Sequence, residues 1–187
     1  MSMSVDLNSA KASMEKALGN LSHDFNGLRT GRPNPAQLED IMVDYYGVAT
    51  PITQVAAIKV PDAHMMTVEP WDKGLVSAVE HAISASNLGI TPNDDGAGVI
   101  RLPFPSPTEE RRKEIVKDCR AAAEKARVGV RAARSDAKKK IEREQKEGEI
   151  TEDEMHRAED ELQKLTDSYV AKVDKALTDK EAEVMEI

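Results

Sequence analysis

Five basic side chains in the second half of the chain have the spacing of a binding surface. Arg120, Arg127, Arg131, Arg134 and Lys138 follow one another at intervals of seven, four, three and four residues, so on a helix they form one line of neighbours. The arginine guanidinium is planar, permanently charged and donates in a fork that fits phosphate oxygens. Such a line is therefore a candidate ridge for an RNA backbone. A second reading is as simple. Residues 111 to 146 include 14 basic and 6 acidic side chains, and residues 147 to 187 include 5 basic and 14 acidic. A basic helix beside an acidic one neutralises it through exposed ion pairs, each contributing about 0–1 kcal/mol. Spacing alone is compatible with both readings.

Other chemistry finds little support. His23, His64, His81 and His156 share no metal-ligand spacing. Gly96-Ala97-Gly98 lacks the third glycine of a dinucleotide fingerprint and precedes a strand pattern rather than a helix. Asn93-Asp94-Asp95-Gly96 reads as a turn, because the rest of a calcium loop is missing. There is no phosphate-binding P-loop, and no nucleophile with a base can be assembled. Cys119 is the single cysteine. It lies on an apolar seam, as a buried, inert thiol would. No cofactor and no enzymatic activity are expected.

The elements that must carry the stripe are helices. Ile115, Cys119, Ala122, Ala126, Val130, Ala133, Ala137 and Ile141 recur at helical steps. Each of Arg120, Arg127, Arg131 and Arg134 follows a seam residue directly, which rotates the stripe about 100° from the seam. Ser106-Pro107-Thr108-Glu109 fits a capping box with proline at the first helical position, with Thr108 as a rival cap. Gly148 ends the helix, and Thr151-Glu152-Asp153-Glu154 opens the next with a second capping box. There Met155, Ala158, Leu162, Leu165, Tyr169, Val173 and Ala176 continue the pattern. Near the N-terminus Leu7, Ala10, Met14, Leu18, Leu21, Phe25 and Leu28 make a third seam. Three one-sided helices must bury their seams on one another, so a three-helix bundle is expected from residues 1–30 and 106–187.

Five of the nine prolines fall in two clusters, Gly31-Arg32-Pro33-Asn34-Pro35 and Pro103-Phe104-Pro105-Ser106-Pro107. Neither can lie inside a helix. Between them the period changes. Ile41–Tyr46, Val55–Val60 and Met65–Val68 read as strands, Leu88–Ile90 and Val99–Leu102 as extended pieces around the 93–96 turn, and Lys73–Ser86 as a helix. Residues 31–105 are therefore expected to form a small β/α/β domain inserted in the bundle, giving an α+β fold. Aromatics are only 3% of the chain and charged residues 32%, with a net charge of −8, as suits long solvated helices packed through aliphatic side chains. No run of 18 apolar residues suggests a membrane span, and no export signal is visible, so a reduced, cytoplasmic protein is expected.

Several stretches together resemble the ribosome recycling factor family. They are Arg29-Thr30-Gly31-Arg32, Tyr45-Tyr46-Gly47 followed by Thr50-Pro51-Ile52, Ala85-Ser86-Asn87-Leu88-Gly89-Ile90-Thr91-Pro92-Asn93, and Ile100-Arg101-Leu102. Thr108-Glu109-Glu110-Arg111-Arg112-Lys113 and Gln163-Lys164-Leu165-Thr166-Asp167 complete the set. The resemblance implies an L-shaped, tRNA-sized molecule whose inserted domain turns on two hinges, at residues 31–35 and 103–107. Gly31, Pro33, Pro35, Pro103, Pro105 and Pro107 would set the hinges. It further implies that the factor binds the ribosome after termination and, with the GTPase elongation factor G, helps to split the subunits. Large-subunit ribosomal RNA would be met by the positions matching Arg131 and Arg134, with Arg127, Lys138 and Arg120 on the same line. Arg29 and Arg32 match further arginines of the family.

A monomer with no DNA or membrane partner is expected. The chain departs from the family at Ser135, where a second arginine is common, at Pro33, where a small residue is, and at Asn87, where aspartate is. Two other classes remain open from the residues alone: a coiled-coil protein whose seams pair between chains, and a general RNA chaperone.

Overall fold

The computed structural model describes residues 5–28 and 30–186. In chain order the elements are α1 (Asn8–Gly27), β1 (Met42–Tyr45), β2 (Val48–Pro51), β3 (Ala56–Asp62), β4 (Met65–Pro70), α2 (Val76–Ala85), β5 (Asn93–Asp94), β6 (Ile100–Pro103), α3 (Glu109–Lys146) and α4 (Glu152–Met185). They fall into two compact units, one of Met1–Leu28 with Lys113–Glu186 and one of Arg29–Arg112.

The first unit is helical. At 1.5 Å per residue the 38 residues of α3 run about 57 Å. Met14, Val130, Ile141, Leu162 and Tyr169 share one buried cluster, and Leu21, Phe25, Ile115, Cys119 and Val173 share another. Both clusters draw on α1, α3 and α4, so the three seams bury one another within a single chain. This removes the reason for a coiled coil that pairs between chains. Some seam positions differ from the periodic expectation: Ala17 and Ala123 are buried where the period points to Leu18 and Ala122, and Thr166 and Val184 join the seam of α4. The threonine is tolerated because its hydroxyl donates to the Leu162 carbonyl at 2.8 Å and so is itself paired.

The helix ends follow local chemistry. Thr108 Oγ1 accepts from the Arg111 amide at 3.2 Å, so the rival cap, not Ser106, closes the start of α3. Ser106 instead lies 3.5 Å from His64 Nδ1. At the other end the Gly148 amide bonds the Gln145 carbonyl and the Glu149 amide bonds the Glu144 carbonyl, the paired closure of a Schellman motif. Thr151 and Glu154 form the expected reciprocal capping box of α4.

The second unit is a four-stranded antiparallel sheet in the order β3-β4-β6-β5, with a separate β1-β2 hairpin. Val43, Met66, Val68, Val79, Ile83, Ile100 and Leu102 form its core with α2. Strand β2 escapes the sequence reading, since Val48–Pro51 is short and carries a proline. The hairpin turn has both central residues at positive φ, Tyr46 at 49° and Gly47 at 88°, as a two-residue I′ turn requires. The expected extended piece at 88–90 is not a strand, and the expected turn at 93–96 begins with the two residues of β5.

Candidate nucleic-acid interface

Helix α3 carries the whole basic stripe, and α4 runs antiparallel along one flank of it. The side chains of the stripe differ in how far they are engaged. Arg127 is the most committed. Its Nε and Nη2 donate to Asp174 Oδ1 at 2.9 and 2.7 Å, and its Nη1 to Glu124 Oε2 at 3.1 Å. It is also only 20% exposed. Arg120 Nε donates to Glu181 Oε1 at 2.7 Å. In both cases the hydrogen bond to the α4 carboxylate is the main influence raising the guanidinium pKa above its ordinary value. These two arginines therefore neutralise α4.

Further along, the engagement weakens. Arg131 is 59% exposed and, among the described residues, meets only Glu124 Oε1, on its own helix, at 3.3 Å. Lys138 Nζ lies 3.9 Å from Glu142 Oε1, a solvated pair one turn away. Arg134 is half-buried, and among the described residues no hydrogen bond or ion pair engages its guanidinium. Ser135 beside it is exposed. So the two readings of the stripe divide it between them: its first part balances charge within the bundle, and its second part presents unsatisfied donors.

The acidic partners are the residues that sequence reasoning missed. A signal for them exists. The partners Asp174 and Glu181 stand seven residues apart on α4, the same interval that separates Arg120 from Arg127 on α3.

The remaining expected residues that are described lie in the second unit. Arg29 is outside the described residues. Arg32 is half-buried, and its amide donates to the buried Thr30 hydroxyl at 3.4 Å. Gly31 has φ +80°, and a Cβ there would stand 2.9 Å from Pro107 Cδ, so the two proline-bearing stretches touch at this point. Pro33 is buried. Pro35 begins a 3₁₀ turn, Pro35–Leu38, that Asn34 caps. Pro103 ends β6 opposite Met65, and Phe104 is anchored in the core with its amide on the His64 carbonyl at 2.7 Å. Pro105 is exposed and Pro107 half-buried.

Among the described residues no group of His, Cys, Asp or Glu could hold a metal ion, and no helix is long and apolar enough to cross a membrane. Cys119 is fully buried, and burial pushes its thiol pKa up.

Comparison with known proteins gives the setting for this geometry. The family model described as ribosome recycling factor matches residues 21–185. A ribosome-recycling factor of Halothermothrix orenii is 48% identical over 178 residues, covering 95% of this chain and 96% of its own. One of Rubrobacter xylanophilus is 48% identical over 187 residues, the full length of both. The chain belongs to the ribosome recycling factor family. A solution structure of a ribosome recycling factor matches with a TM-score of 0.76 and 40% identity, over 97% of this chain and 96% of that one. A second match, with a TM-score of 0.63, 40% identity and 94% of each chain covered, comes from models of the T. thermophilus ribosome recycling factor and E. coli elongation factor G bound to the E. coli post-termination complex. Family membership thus extends over both units and includes the stripe.

Proposed function

We propose that the protein recycles ribosomes by docking α3 on large-subunit ribosomal RNA, with Arg131 and Arg134 making the principal phosphate contacts and Lys138 beside them. As a member of this family it acts on the post-termination ribosome together with elongation factor G, and together they split the subunits and free the mRNA for a new round of translation. GTP hydrolysis belongs to that partner. The chain itself contributes binding and mechanical work in the cytoplasm as a monomer, without enzymatic activity. The observation that carries the assignment of residues is the uneven engagement of the stripe: Arg127 donates three hydrogen bonds to carboxylates, whereas Arg131 has one exposed partner and Arg134 has none among the described residues. Arg120 and Arg127 then act mainly in holding α4 to α3. Arg29 and Arg32 are supporting contacts on the same RNA.

The acidic remainder of the surface limits non-specific binding to nucleic acid. The stretches at 31–35 and 103–107 are the connections through which the inserted domain turns. Gly31, Pro33, Pro35, Pro103, Pro105 and Pro107 restrict its directions, because proline fixes φ.

The test is binding to 50S and 70S particles at several salt concentrations, comparing the native chain with Arg131→Ala/Arg134→Ala. Removing one phosphate-neutralising side chain lowers the slope of log K against log salt by about 0.7–0.9, so the slope of the double variant should be smaller by about 1.4–1.8. Its circular dichroism should be unchanged. Undiminished binding would return the whole stripe to charge balance, and no binding by the native chain would remove the ribosome from the account.

A further inference from the structure

Arg120 with Glu181 and Arg127 with Asp174 are two rungs of one ladder. The arginines are seven residues apart on α3 and the carboxylates seven apart on the antiparallel α4. One further step of seven brings Arg134 level with Asp167. The helices are still packed together there, since Val130, Ala133, Leu162 and Tyr169 belong to one buried cluster. The third rung should therefore close, and it does not. Asp167 Oδ1 instead accepts from Gln163 Nε2 at 2.8 Å, one turn back along α4. Gln163 and Asp167 are both exposed. Among the described residues no ion pair joins Asp167 to Arg134.

We propose that Gln163 is a positioning residue that keeps this rung open: by holding the Asp167 carboxylate along α4, it leaves the Arg134 guanidinium uncommitted for an RNA phosphate. The idea rests on the reading of Arg134 as a phosphate contact. A side-chain amide on a carboxylate one helical turn away and a solvated ion pair between helices are interactions of similar small size, so loss of the amide is enough to move the carboxylate toward the arginine. The cost to RNA binding is then a population effect. Apparent affinity falls in proportion to the fraction of molecules in which Arg134 is still free. If the closed rung is favoured about three to one, binding weakens about fourfold.

The experiment uses 50S particles at a fixed salt concentration and five chains: native, Gln163→Ala, Asp167→Asn, Gln163→Ala/Asp167→Asn and Arg134→Ala. Gln163→Ala should bind about two- to fivefold more weakly with its circular dichroism unchanged. Adding Asp167→Asn should restore native affinity, because the uncharged amide no longer competes for the arginine. Asp167→Asn alone should bind no more weakly than the native chain. Failure of Gln163→Ala to weaken binding while Arg134→Ala does would overturn the role of Gln163 and leave Arg134 on the RNA. A Gln163→Ala defect that persists with Asp167→Asn would overturn the route through Asp167. Native binding by Arg134→Ala would remove both this inference and the reading beneath it.

Discussion

Arg127 tests whether pairing decides which part of the stripe meets RNA. Replacing it with methionine removes the charge and keeps much of the aliphatic stem; replacing it with alanine removes both. The guanidinium makes two hydrogen bonds to one oxygen of Asp174 and a third to Glu124. Solvated pairs contribute about 0.2–1 kcal/mol. Here the arginine is 20% exposed but its partner is 54% exposed, so solvent screens the pair and about 1 kcal/mol is the upper end. Asp174 regains water when Arg127 is replaced, so no unpaired buried charge adds to the cost. The stem packs on the bundle, and trimming it to alanine adds about another 1 kcal/mol on the scale of one or two methylenes. Urea denaturation followed by helix circular dichroism should therefore show Arg127→Met about 1 kcal/mol and Arg127→Ala about 2 kcal/mol less stable than the native chain. The methionine deficit should shrink at high salt. Ribosome affinity of Arg127→Met should stay within about twofold of native, a limit far below the effect of removing a full phosphate contact. If Arg127→Met is as stable as the native chain and binds as poorly as Arg134→Ala, then the guanidinium leaves Asp174 for RNA. The division of the stripe by its internal partners would then be wrong.

Two further outcomes follow from the second unit. Tyr46 donates to Asp72 Oδ2 at 2.6 Å while the Gly74 amide donates to Oδ1 at 2.9 Å, and the tyrosine hydrogen bond, foremost, holds the Asp72 carboxyl below its ordinary value and raises the Tyr46 hydroxyl above its own. The stabilising contribution is complete between the unfolded values of about 4 and about 10, is lost as pH falls through the folded Asp72 value, and is lost as pH rises through the folded Tyr46 value; a stability difference between the native chain and Tyr46→Phe that did not close at low pH would refute this. Gly31→Ala places a Cβ 2.9 Å from Pro107 Cδ at φ +80° and should cost about 1–2 kcal/mol in urea denaturation, with Pro107→Ala in the same chain relieving only the close approach and not the backbone strain; a neutral Gly31→Ala would refute the close approach.

The helices were legible because each rests on a local rule. Periodic seams, a threonine three residues ahead of Glu154 and a glycine after Lys146 each act within a few residues, and Gly148 and Thr151 do what their positions imply. The departures come from competition between equivalent groups. Ser106 and Thr108 are both able to cap α3, and the choice falls to Thr108 while Ser106 lies beside His64, 42 residues away in sequence. Strand β2 was hidden because it is defined by its partner: Val48–Pro51 has no strong alternation of its own and is held by pairing Met42 with Pro51 and Tyr45 with Val48. The stripe was legible as a line of charge, yet its division was not, because the ion pairs that tie it to α4 join residues 47 and 61 positions apart.

That division has a simple geometric source. Along a straight helix a seven-residue step falls about 20° short of two full turns, whereas a four-residue step overshoots one turn by about 40°. Arg120, Arg127 and Arg134 therefore keep to the flank that faces α4, where antiparallel carboxylates at the same seven-residue interval can meet them. Arg131, four residues beyond Arg127, is turned about 40° further from the seam and is out of that register, which agrees with its single partner on its own helix. A stripe that mixes steps of seven with steps of four thus builds two surfaces from one residue type: a row that closes on the neighbouring helix and a row that stands clear of it. Arg134 has the position of the first row and the free donors of the second. It is the side chain through which, on the proposal above, a change on α4 would alter the affinity of α3 for a polyanion without altering the bundle.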